Sequence, residues 1–211
     1  MRLIKCLPII AAALAAGSVT ASETLTVQSL TAGKFSTVNL NYNGNSLNVY
    51  AGPQLVKLGS GPLFDAYCVD LDHWNTLPSS YPVDVLSTNL LTNGQRIAYL
   101  YNTYAQSVTN ATMGAALQLA IWDVLVDGGN GLGAGNLKSN VSGGILSQAN
   151  WYLASSAGQS SEASWLKATH HGAGGNQYQN LVGPAVPGPA AALPFLTSLV
   201  ALRRRRRKAT A

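Results

Sequence analysis

The sequence predicts an α+β protein, with an antiparallel β portion in the first half and a helical portion after it. Two observations carry this reading. From residue 23 to about residue 81, apolar residues alternate with polar ones, which is the two-residue period of a half-buried strand. After Thr92 the apolar residues recur at the three-to-four spacing of a helix. A third observation bounds the domain: both ends of the chain carry apolar runs next to clustered basic residues.

Residues 1–21 have the three parts of a secretory signal peptide. Arg2 and Lys5 form the charged start, residues 7–16 the apolar run, and Val19-Thr20-Ala21 a small-residue cleavage site before Ser22. Cleavage is expected between Ala21 and Ser22. Cys6 precedes the apolar run and is lost with the leader, so Cys68 is the only cysteine of the mature chain.

Within the β portion, Val38, Leu40 and Tyr42 alternate with polar residues. Asn43-Gly44 is a strong hairpin turn, and Leu47 and Val49 resume the alternation. Residues 59–62 break the chain before a strand that carries Cys68. Extending its alternation puts Phe64, Ala66, Cys68, Asp70 and Asp72 on one face.

Ile97, Leu100, Tyr101 and Tyr104 begin the helical part. A second helix is expected over residues 110–126, with Asn110 or Thr112 as N-cap and Asp127-Gly128-Gly129 as the stop. It is apolar nearly all round, as a helix buried inside a domain must be. Residues 128–135 read as a loop, 145–153 and 162–168 as further helices, and 177–182 as a returning strand. There are no internal repeats.

The domain so bounded runs over residues 22–183. A Pro/Gly linker follows, then an apolar run over residues 190–202 and the basic cluster 203–208. That run is short for a free-standing membrane span of about 17–25 residues. The basic cluster directly after it has the form of a stop-transfer signal on the cytoplasmic side.

Charged residues make up only 10% of the chain, and Gly, Ser, Thr, Asn and Ala are abundant, as in exported β-rich proteins more than cytosolic enzymes. The formal charge of +5 comes from the ends: eight of the thirteen basic residues lie there, leaving five against eight acids in the domain, or −3. A mildly acidic domain has no basic patch for a phosphate backbone, which argues against nucleic acid as a partner.

Read from the residues alone, Cys68 has several possible roles. It could be a buried structural thiol. It could be the nucleophile of a hydrolase or transferase with His73, His170 or His171 as base, although no cysteine-hydrolase signature flanks it. Asp70, Asp72 and His73 could also ligate a metal, but without a regular ligand spacing.

Two motifs go further. Tyr67-Cys68-Val69-Asp70 resembles the aromatic–Cys–aliphatic–Asp motif of the thioester domains of bacterial surface adhesins. Gln118-Leu119-Ala120-Ile121-Trp122 is similar to the Gln–x–Ala–aliphatic–Trp motif that follows it in that family. The resemblance implies a β-sandwich or barrel combined with a helical part, and an internal thioester between Cys68 and Gln118 that binds a nucleophile covalently once and does not turn over. It implies no cofactor. The target would be an amine or hydroxyl on a protein or polysaccharide. Tyr67, Ile121 and Trp122 would shield the bond from water. Asp70, one pleat from Cys68 on the extrapolated strand face, would handle the thiol proton, or else bond backbone and hydroxyl donors.

At the C-terminus, Val186-Pro187-Gly188-Pro189 with its apolar run and arginine cluster resembles the PEP-CTERM sorting tails of Gram-negative bacteria, with Gly188 where the commonest form has Glu. The resemblance implies processing by an exosortase-like enzyme, transient anchoring in the inner membrane, and a place at the cell surface or in an exopolysaccharide matrix. A passive matrix protein without a thioester is the remaining alternative.

Overall fold

The computed structural model describes residues 22–175 and 177–186. The leader and the tail from Pro187 onward, including the sorting motif beyond Val186, lie outside the described residues. Among those described, no helix is long and apolar enough to cross a membrane.

The described residues are α+β. The strands are β1 (Ser22–Leu30), β2 (Ser36–Tyr42), β3 (Asn45–Ala51), β4 (Gln54–Leu58), β5 (Leu63–Cys68), β6 (Ser79–Ser87), β7 (Leu137–Ser139), β8 (Ser164–Ala168) and β9 (Leu181–Gly183). The helices are α1 (Gly94–Tyr104), α2 (Ala111–Asp127) and α3 (Gly143–Ser156). Six strands close a barrel in the order β1-β4-β5-β9-β8-β6, and β3-β2-β7 form a separate sheet. All the pairings are antiparallel. A barrel this narrow is filled by side chains, here Leu25, Val27, Val56, Ala66, Val83 and Leu166, all fully buried.

The β2–β3 hairpin follows from its turn. Asn43 and Gly44 both adopt left-handed backbone (φ 51° and 84°), as the tightest hairpin turn requires. Register then pairs Val38 with Val49 and Leu40 with Leu47.

Helix α2 is the central element. The Asn110 side chain caps it by accepting from the Met113 N–H at 2.9 Å. Gly128, at φ 69°, ends it in the left-handed conformation. Every residue from Gly114 to Val124 is buried, because the helix packs on β2, β3, β5 and β7 and on both other helices. Full burial of Leu117, Leu119 and Ile121 contributes roughly 1.5–3 kcal/mol each. Gly114 is where α2 comes closest to the β1–β2 connection, and a Cβ there would run into the Lys34 carbonyl.

The structure corrects two local expectations and adds one strand. Residues 162–168 contain no helix: Ser164–Ala168 is strand β8, with Ser164, Leu166 and Ala168 buried and Trp165 and Lys167 turned outward. The two-residue period wins because β6 on one side and β9 on the other supply its backbone partners. Leu137–Ser139, to which the sequence pattern assigns no element, adds a third strand beside β2. The Cys68 strand also stops at Cys68, so Asp70 and Asp72 are not on its face.

Candidate functional site

Cys68 is the last residue of β5, and Gln118 lies in the middle of α2. The sheet itself creates the opening between them. β4 ends at Gln54, opposite Ala66. In an antiparallel ladder, alternate residues offer both backbone groups to the same neighbour. Cys68, two residues beyond Ala66, therefore turns its N–H and C=O to the side where β4 has run out.

The Gln118 side chain fills that place. The Cys68 N–H donates to Gln118 Oε1 at 3.0 Å, and Gln118 Nε2 donates to the Cys68 carbonyl at 2.8 Å. A primary amide matches this pair of groups because it is a donor and an acceptor in one plane. Both residues are buried, Cys68 at 3% exposure and Gln118 at 1%.

On its other edge β5 pairs with β9, Tyr67 opposite Val182 and Cys68 opposite Leu181. The Cys68 thiol donates to the backbone carbonyl of Asp70 at 2.8 Å and accepts from the Asp70 N–H at 3.3 Å. Burial pushes the thiol pKa up to about 12. The Asp70 charge adds to the rise, while the Asp70 backbone hydrogen bond and the Trp122 side chain act against it. The Trp122 indole N–H has no well-formed hydrogen bond of its own. It is nevertheless close enough to favour the charged form of the sulfur.

The surrounding residues shut out water. Tyr67 and Ile121 are fully buried and Trp122 is 2% exposed. Trp122 follows Gln118 by one helical turn, on the same face of α2. With its pKa raised by burial, the thiol stays protonated at neutral pH. It is therefore protected from oxidation and stray disulfide exchange.

Asp70 does not meet the thiol through its carboxylate. Its oxygens accept from the backbone N–H groups of Asp72 and His73, from the His73 ring at 2.8 Å, and from the Asn180 side chain at 2.7 Å. A short acidic side chain commonly bonds the backbone two residues on, and this one turns the chain out of the sheet. The carboxylate thus takes the donor-binding role, and only the Asp70 backbone serves the sulfur.

His73 stacks flat on the exposed His171, with ring centroids 3.5 Å apart. His170 packs edge-on against Tyr178. With its ring held by Asp70 and His171, His73 does not form a Cys–His pair. Asp70 and His73 pair with each other, and among the described residues no three His, Cys, Asp or Glu side chains are grouped to hold a metal ion.

Sequence reasoning missed a set of amide residues that lock this end of the barrel. Gln179 donates to the His73 carbonyl and accepts from the Gln54 side-chain amide. Tyr81 donates to the Gln179 carbonyl at 2.8 Å. Asn180 joins Asp70 to β8 by accepting from the Ala168 N–H. A Gln-Asn pair just before an apolar strand was the available signal, but it does not show which backbone groups it will meet.

Comparison of the chain with protein-family models, curated proteins and solved structures finds no match.

Proposed function

We propose that Cys68 and Gln118 condense to an internal thioester, and that the exported protein uses this bond once to attach covalently to an amine or hydroxyl nucleophile. One observation carries the reading: the Gln118 amide is held on both sides by the backbone of the residue whose sulfur would attack it. The paired motifs and the burial of Tyr67, Ile121 and Trp122 support it.

The step balances without a cofactor. The Cys68 sulfur bonds to the side-chain carbonyl carbon of Gln118, the carbon–nitrogen bond breaks, and the thiol proton leaves with the nitrogen as ammonia. The Cys68 N–H at 3.0 Å from Oε1 stabilises the negative charge that develops on that oxygen. The Trp122 indole N–H and the Asp70 N–H favour charge on the sulfur. A thioester carbonyl lacks amide resonance, so an incoming amine opens it, leaving a stable amide at position 118 and a free Cys68 thiol. An exported chain with a signal peptide and an exosortase-processed tail would carry this bond to the surface or matrix of a Gram-negative cell.

Mass spectrometry of the mature domain tests the proposal. The protein should be one ammonia lighter than its sequence. Methylamine should add its full mass and release one titratable thiol. Cys68→Ala should show the full mass and take up no methylamine, and Gln118→Ala should carry a free thiol from the start. A peptide map of protein from its native host that shows only unmodified Gln118 would refute the thioester. Hydrolysis of a bond once formed would instead leave Glu at that position.

A further inference from the structure

A second site lies away from Cys68, in the helical layer. The end of α1, the turn after it and the outer face of α3 enclose an open cleft of about 490 Å³, within the ~300–1,000 Å³ range of small-ligand sites. Tyr104, Trp151 and Tyr152 form its aromatic wall, with centroid separations of 5.2 Å, 4.8 Å and 5.4 Å around the three. Thr103, Ser107 and Gln148 supply hydroxyl and amide groups. Among the described residues, none that lines the cleft carries a charge.

Two features are unexplained by folding. Trp151 is 52% exposed, although its neighbour Tyr152 is 1% exposed. With Tyr104 and Tyr152 against it, the exposed Trp151 ring is part of one aromatic cluster at the surface. In addition, the Tyr152 hydroxyl is buried without a hydrogen-bond partner. Gln148 lies beside it without closing a bond. A buried unpaired hydroxyl costs about 1–3 kcal/mol.

We propose that this cleft binds a neutral saccharide non-covalently. A pyranose offers an apolar C–H face to stack on an indole and a rim of hydroxyls that both donate and accept. The cleft offers matching groups: the aromatic rings of Trp151 and Tyr104, and uncharged donors and acceptors on Thr103, Ser107 and Gln148. Anionic glycans and phosphates would find no cation in the lining. A peptide strand would find no open sheet edge, since the walls are helices and the turn between them. The site is independent of the thioester, and its test removes that bond.

Isothermal titration of the Cys68→Ala protein with neutral tetrasaccharides (cellotetraose and chitotetraose) and with acidic oligogalacturonate provides the measurement. At least one neutral sugar should bind. Trp151→Ala should weaken that binding tenfold or more with an unchanged circular dichroism spectrum, since the position is exposed. Binding of neither neutral sugar, equal binding by Trp151→Ala, or preference for the acidic oligomer would each overturn the proposal.

Discussion

Replacing Gln118 with Glu changes one atom and tests the clamp at the centre of the site. Oε1 would still accept from the Cys68 N–H, now 3.0 Å away. The other oxygen would sit where Nε2 now donates to the Cys68 carbonyl at 2.8 Å, so an ionised side chain opposes two acceptors. It recovers the bond only by taking up a proton. Burial at 1% exposure acts in the same direction, because it disfavours the charged form. A rise of roughly 2–4 units above the ordinary Glu value of about 4.3 corresponds to about 2.5–3.5 kcal/mol of stability missing at pH 7. The sign follows from linkage. A folded-state pKa above the unfolded one leaves stability intact below pH ~4, and stability is lost as pH rises through the folded value. Urea unfolding of Cys68→Ala with and without Gln118→Glu, from pH 4 to pH 8, isolates this effect from any covalent chemistry. The two proteins should agree at the acid end and separate towards neutrality. Equal stability at pH 7 would refute the claim that the site is matched to an uncharged group that both donates and accepts.

Two further outcomes follow from burial and close approach. Tyr67, Tyr81 and Tyr101 all have pKa values raised first by burial, as does the unreacted Cys68 thiol. Stability should therefore hold below the unfolded thiol and phenol values near pH ~9–10 and fall as pH rises beyond them, read as a falling urea midpoint by circular dichroism; a midpoint that stays constant beyond those values would contradict the burial argument. Gly114→Ala should lower the unfolding free energy from urea titration by roughly 1–3 kcal/mol through overpacking, although alanine is the better helix former by about 1 kcal/mol, because its Cβ meets the Lys34 carbonyl; a gain in stability would show that α2 and the β1–β2 connection can move apart freely.

How far the sequence could be read depended on whether each signal was local. The β2–β3 hairpin was legible because Asn43-Gly44 itself takes up the turn backbone. Helix α2 was legible because its cap, apolar body and glycine stop all lie within its own residues. The β8 segment was not, since five residues with Trp165 and Leu166 suit either period and its strand form is set by β6 and β9. Cys68 and Gln118 were identified as a pair, but the backbone clamp between them depends on β4 ending at Gln54, a matter of register. The role assigned to Asp70 from the strand period failed for a related reason. Its own carboxylate ends the strand by bonding the next turn, so the extrapolated pleat does not exist.

The position of β9 has a mechanical consequence. It is the last strand described, three residues long, and it sits between β5 and β8 directly opposite Cys68. If a target is caught at Gln118 while the chain is held beyond Val186, tension enters at the centre of α2 and leaves just after β9. The covalent route between those points runs forward through β7, α3 and β8 and bypasses β1 to β6 and α1. Those elements act as a housing and bear load only through their contacts. The first such contact to feel the pull is the short ladder of Tyr67 with Val182 and Cys68 with Leu181, backed by the 2.9 Å bond from the Val69 N–H to the Asn180 carbonyl. Traction on the tether would thus strain the edge of the barrel that borders the reactive sulfur before it reaches the rest of the domain.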